Sequence, residues 1–280
     1  MLHSFELSVF RRTIFLALLC VLIAAYGYGA PAPASIRLAT TTSMDQSGLL
    51  DVLLAAFTKR TGIRVDVIAT GSGSALTLAS HGNCDLVIAH APALEKAFLA
   101  TNPASLRIPF MYSDFVIVGP KSDPAGISRS ASAVAAFCSI AESKVRFVSR
   151  GDNSGTHQKE LELWPPKLKP THSSWYLESG QGMAETLRIA DERDAYALSD
   201  RAAFLALSNE LGHLAILFEK DGALRNEYSM IIPGLSAEGR PLADFLAGPE
   251  AAELIRSFAV RGTRVFFPLY PDIKTESAKR

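Results

Sequence analysis

The sequence has little of what nucleic-acid binding, metal ligation or a membrane span requires. Its 28 Lys and Arg balance its 28 Asp and Glu, and no basic stripe breaks the balance, which argues against a nucleic-acid partner. The three cysteines stand far apart, and no Cys/His spacing suits a metal. There is no Walker A lysine motif. The run Gly71-Ser-Gly73 fails the dinucleotide fingerprint because Leu76 occupies its last glycine position, and it fails the G-x-S-x-G elbow because Ser74 follows the second glycine. No repeat of fixed period and no low-complexity tract occurs beyond the N-terminal junction.

What is present begins with an export pattern. Arg11-Arg12 precede an apolar run from Ile14 to Ala25, and Ala32-Pro33-Ala34 precedes Ser35. The run is shorter than the ~20 residues of a spanning helix, so residues 1–34 read as a signal peptide delivering the chain to the periplasm, a retained anchor being the alternative. Cys20 lacks the preceding small residue of a lipoprotein site. Cys84 and Cys138 lie in separate apolar strand–helix units and read as two buried free thiols despite the oxidising compartment.

With 48% hydrophobic and 20% charged residues, the rest is long enough for one large or two smaller domains. Ser35–Ala39 reads as a strand, and Leu49, Leu50, Leu53, Leu54 and Phe57 as one face of a helix opened by Ser47-Gly48. A strand at 63–69, a helix at 75–80 and a buried-type strand at 84–89 follow. A second series begins near residue 115, with strands at 115–119 and before Arg150 and a helix between them. Ser199 is the expected cap of a helix over 200–207. Alternating strands and helices predict α/β lobes with mostly parallel sheets.

Three turns stand between a strand and a helix: Thr40-Thr-Thr-Ser43, Gly71-Ser-Gly-Ser74 and Ser149-Arg-Gly-Asp-Asn-Ser-Gly-Thr156. A helix's first turn leaves N–H groups without internal partners and carries partial positive charge, so it favours an anion. Gly151 and Gly155 allow close backbone approach, Ser154 and Thr156 add hydroxyls, and Arg150 offers a planar fork for an oxyanion. Singly, each turn also reads as an ordinary capped helix. Together, at ends of strands where open α/β sheets bind ligands, they predict a small tetrahedral oxyanion site. Asp45 and Asp152 keep a phosphate site open, because hydrogen phosphate needs an acceptor; Asp152 is expected to turn toward Arg150 or cap the helix. An exported hydrolase using Ser72 or Ser154 is the third reading, and it lacks an assigned base. His90 and His157 read as structural.

Several of these segments resemble the tungstate-binding proteins of bacterial tungstate ABC importers: Thr40-Thr-Thr-Ser-x-x-x-Ser-Gly-Leu-Leu50, Gly71-Ser-Gly73, His90-Ala-Pro92, Met111 to Pro120, Ser149 to His157 and Gly180-Gln-Gly-Met183. The resemblance runs in one order from about residue 36 to Pro268. It implies a type II periplasmic binding protein with two α/β lobes, 35–113 plus 227–280 and 114–226, and the oxyanion in the interlobe cleft. The ligand contacts it implies fall on Thr41 or Thr42, Ser43, Ser72, Gly73, Arg150, Ser154, Gly155 and Thr156. It implies a monomer that binds tungstate or molybdate without a cofactor, performs no catalysis, and delivers its ligand to an inner-membrane ABC permease. Ser74, Cys84 and the segment Arg225-Asn-Glu-Tyr-Ser229 depart from the family pattern.

Overall fold

The computed structural model describes residues 35–170, 173–234, 236–273 and 276–277; the leader reading lies outside them. The strands are β1 (Ser35–Thr41), β2 (Arg64–Thr70), β3 (Leu86–Ala89), β4 (Leu106–Pro120), β5 (Phe147–Ser149), β6 (Tyr176–Glu178), β7 (Ala197–Asp200), β8 (Leu214–Phe218) and β9 (Arg225–Ile232). The short strands β10 (Ala259–Val260), β11 (Thr263–Arg264), β12 (Phe267–Pro268) and β13 (Glu276–Ser277) close the series. The helices are α1 (Thr42–Gln46), α2 (Leu49–Thr61), α3 (Ser72–Ser80), α4 (Pro92–Thr101), α5 (Ala133–Ser143), α6 (Gly155–Leu163), α7 (Met183–Glu192), α8 (Arg201–Leu207), α9 (Arg240–Leu246) and α10 (Pro249–Ser257).

One long strand organises them. From Leu106 to Asp114, β4 runs antiparallel to β9, with Leu106 opposite Ile232 and Asp114 opposite Arg225. From Phe115 onward it pairs instead with β7, Phe115 opposite Asp200, and with β8, Pro120 opposite Leu214. The change of partner falls between adjacent residues. On the first side the sheet continues through β9, β3, β1 and β2; β1 and β3 are parallel, while β3 and β9 are antiparallel. The sheet is therefore mixed rather than mostly parallel, because β4 and β9 run in opposite directions through its middle.

Apolar runs rather than alternation mark β3, β4 and the second half of β9 because both faces are covered there. Leu38, Leu86, Ile88 and Met230 pack with Leu49, Leu53 and Phe57 of α2 and Phe245 of α9. Their neighbours Ala39, Val87, Ala89 and Ile231 pack on the other face with Ala75 and Leu76 of α3 and Phe98 of α4. Beyond Asp114 the same two-residue period repeats. Phe115 and Ile117 join Phe137, Phe147 and Trp164, while Val116 and Val118 join Met183 and Leu187. Cys84 and Cys138 are free, the first buried and the second half-buried. No helix among the described residues is long and apolar enough to cross a membrane.

Candidate functional site

Each of the three polar turns caps a helix. Thr41 ends β1 in extended geometry, and its Oγ1 accepts from Met44 N at 3.2 Å. Gly71 caps α3 without a side chain, leaving Ser72 and Gly73 to open that helix. Ser154 caps α6, its Oγ accepting from His157 N at 3.3 Å while its hydroxyl is directed at Asp152. Gly151, at φ +59°, and Asn153, at φ +60°, fold the loop back between them. A Cβ at Gly151 would stand 2.7 Å from Glu178 Cβ, so this turn needs glycine on both counts.

The turns come together. A Cβ on Gly73 would lie 3.6 Å from Asn153 Nδ2, and one on Gly155 would lie 2.7 Å from His90 Cε1. His90 Nε2 in turn lies 3.3 Å from Ser43 Oγ. Ser43, His90, Gly155, Asn153 and Gly73 thus form a connected arc through residues far apart in sequence. Thr42 and Ser43 are half-buried at the opening of α1.

Arg150 is 4% exposed. Its Nε donates to Asp152 Oδ2 at 3.1 Å and its Nη2 to the same oxygen, while Asp152 Oδ1 accepts from Ser154 N at 3.1 Å. Burial pushes the Asp152 carboxyl up, but the Ser154 hydrogen bonds and the guanidinium outweigh it and hold the carboxyl below its ordinary value. Asp152 thus both meets Arg150 and ties the loop, as the sequence suggested. The arginine's charge is partly compensated before any anion arrives.

Two hydroxyls named from sequence have no hydrogen-bond partner among the described residues. Ser72 Oγ and Thr156 Oγ1 belong to residues 0% and 1% exposed, and neither makes a hydrogen bond. A buried hydroxyl without a partner is costly unless something else satisfies it. Thr41 and Ser43 differ: their hydroxyls lie 3.2 Å apart and turn inward, toward each other and His90.

One cap escaped the sequence reading. Asp200, not Ser199, caps α8: its Oδ1 accepts from Ala203 N at 2.9 Å, while Ser199 Oγ donates to the Asp200 carbonyl. Asp200 Oδ2 is buried without a partner. Burial pushes this carboxyl up against the pull of Arg150. The signal was the pair of cap-type residues Ser199-Asp200, with the helix starting one position later than expected. His90, read from the sequence as structural, has the partner that reading could not name: its Nδ1 lies 2.9 Å from Asn226 Oδ1. Burial lowers its pKa to about 4 despite that hydrogen bond, with Arg150 pushing the same way, so the ring is neutral at pH 7.

The site therefore offers hydroxyl and N–H donors, one guanidinium and one unpartnered carboxyl oxygen, a set suited to a small oxyanion. Among the described residues no cluster of His, Cys, Asp or Glu could hold a metal. A cavity of about 130 Å³ beside Ser43, lined by Gln46, Met183, Ala202, Ala203 and Leu207, contains no charged side chain and is a poor place for an anion.

Residues 29–250 match the family model described as the PBP superfamily domain. The tungstate-binding protein TupA of Peptoclostridium acidaminophilum is 39% identical over 249 residues, covering 85% of this chain and 86% of that protein. The solved structure of TupA from Desulfovibrio alaskensis G20 superposes with a TM-score of 0.73 at 37% identity, covering 85% of this chain and 99% of that one. The tungstate ABC transporter structure from Geobacter sulfurreducens gives a TM-score of 0.71 at 40% identity, covering 80% and 98%.

Proposed function

The chain belongs to the tungstate-binding proteins of the PBP superfamily, and from that premise we propose that it captures tungstate, and molybdate with it, outside the cytoplasm for an ABC importer. The fold is the two-lobed α/β fold of that superfamily. We read 35–113 plus 227–280 as one lobe and 114–226 as the other. The hinge lies near Ser113 and Glu227, where β4 changes partners. Residues 1–34 serve as the leader, the mature protein acts as a monomer, and an inner-membrane permease receives the ligand.

The observation that carries this reading is the pair of buried, unpartnered hydroxyls, Ser72 Oγ and Thr156 Oγ1, on helix starts that share a site with Arg150. A dianion brings acceptors only, which is what these donors lack. The N–H groups of Gly73, Gly155 and Thr156 and the Thr41–Ser43 turn complete the coordination. Binding involves no cofactor and no chemistry on the ligand; Ser72 has no base within hydrogen-bond reach.

One feature favours a second reading, hydrogen phosphate. Asp200 Oδ2 is a buried oxygen without a partner, and an ionised carboxylate there would accept the proton that phosphate keeps near neutral pH. Burial raises the pKa of this carboxyl, which weakens it as an acceptor. Parallel calorimetric titration with tungstate, molybdate, sulfate and phosphate separates the two. Tungstate is expected to bind with nanomolar affinity, about −12 kcal/mol, and phosphate weakly. Tighter phosphate binding would select the second reading.

A further inference from the structure

His90 follows β3 at the meeting point of the ligand turns and the two crossing strands. Asn226 Nδ2 faces Ser113 Oγ and Tyr228 OH, each at 3.2 Å. In this orientation of the amide Asn226 Oδ1 accepts the 2.9 Å contact, and His90 Nδ1 donates it. Nε2 is left as a lone pair and accepts the Ser43 hydroxyl at 3.3 Å. Thr41 Oγ1 already accepts from Met44 N, so its own O–H turns to Ser43 Oγ at 3.2 Å. The chain of donors runs Thr41, Ser43, His90, Asn226, Ser113.

Both ends of that chain matter. Thr41 and Ser43 form the first ligand turn. Ser113 and Asn226 are directly opposite one another in β4 and β9, one residue before β4 leaves β9 for β7. The ring is clamped as well: Tyr228 stacks on it at 4.8 Å, and Gly155 of the α6 turn lies against its edge. Among the described residues the Asn226 side chain bonds to His90, Ser113 and Tyr228, so its link to the ligand turns runs through His90.

We propose that His90 and Asn226 are positioning residues of the oxyanion site, tying the Thr41–Ser43 turn to the crossing strands so that ligand geometry and lobe closure are set together. This rests on the oxyanion-binding reading above. Ser43, His90 and Asn226 also stand in the order of nucleophile, base and orienter. A buried imidazole held at a pKa of about 4 and covered by Gly155 is a weak proton acceptor at pH 7, which makes orientation its work rather than proton transfer.

The test is a double-mutant cycle with tungstate as titrant. Asn226→Ala is expected to weaken binding at least fivefold, and to lose most of that effect in a Ser43→Ala background. His90→Phe, which keeps the ring on Tyr228 but neither hydrogen bond, gives a similar loss. Imidazole nitrogen NMR of the wild type shows Nδ1 protonated and Nε2 bare. Affinities within twofold of wild type in both Asn226→Ala and His90→Phe, or fully independent effects in the cycle, would overturn the proposal, as would a proton on Nε2. Ester hydrolysis lost in Ser43→Ala would overturn it too, by making His90 a base. If the wild type binds none of the four oxyanions, the functional reading fails, and the imidazole spectra still decide the tautomer on which this inference stands.

Discussion

Gly155 lies so close to His90 that a methyl group at residue 155 would stand 2.7 Å from the imidazole Cε1 and 2.9 Å from the His90 carbonyl oxygen. The first residue belongs to the α6 turn and the second to the β3 end, one in each proposed lobe. Gly155→Ala is therefore expected to hinder closure. Because the methyl group would press on the His90 backbone as well as its ring, the melting temperature is expected to fall, and tungstate affinity to fall at least about tenfold, ~1.4 kcal/mol. Melting and titration of this variant check both signs. Unchanged affinity would mean that the contact opens no lobe.

The unpartnered hydroxyls give a pair of opposite signs. Ser72→Ala and Thr156→Val remove buried groups that satisfy nothing in the ligand-free protein. Stability without ligand is expected to stay level or improve by up to about 1 kcal/mol, and tungstate binding to weaken by about 1 kcal/mol per lost hydrogen bond. Thermal melts with and without tungstate measure both. Variants that bind like wild type would remove these hydroxyls from the site.

Glu160 sets a pH dependence of stability. It sits one turn after Thr156 on α6, where its Oε1 accepts from Trp164 Nε1 at 2.9 Å and Tyr176 OH at 2.7 Å. Burial raises its pKa from 4.5 to about 7, the hydrogen bonds from Ser149, Trp164 and Tyr176 only partly offsetting it. A raised folded pKa means stability is greatest below the unfolded value and is lost as pH rises from about 4.5 to about 7, by roughly 3 kcal/mol. Glu160→Gln keeps the acceptor and removes the titration. Denaturant melts from pH 4.5 to 8 should diverge, the variant gaining on the wild type as pH rises. His90 titrates in both proteins and drops out of the difference; parallel curves would contradict the assignment.

Much of this was legible in the sequence because its causes are local. The segment Ser35 to Ala39 marked a strand and the apolar run to Ala89 a buried one, and small polar residues after the first marked a helix start. Other features depend on distant partners or contradict a local rule. The first half of β4 went unseen because Pro109 interrupts it; the pairing with β9 absorbs the proline by shifting register between Pro109 and Met111. β6 and β8 are short or half-exposed and carry weak patterns. Asp200 looked like the first residue of a helix that it in fact caps. His90 looked structural because its partner Asn226 is 136 positions away, and only the fold brings them together.

The most direct test of the oxyanion site is tungstate titration of wild type, Arg150→Ala and Arg150→Lys. Arg150 is 4% exposed and already oriented by Asp152. Its loss removes a charge-assisted donor and leaves a carboxylate uncompensated beside the anion. The account predicts nanomolar binding by the wild type and at least about tenfold weaker binding by Arg150→Ala, ~1.4 kcal/mol or more. Arg150→Lys recovers part of the loss, since it keeps the charge without the fork. Wild-type affinity in Arg150→Ala would contradict the account and put the oxyanion elsewhere.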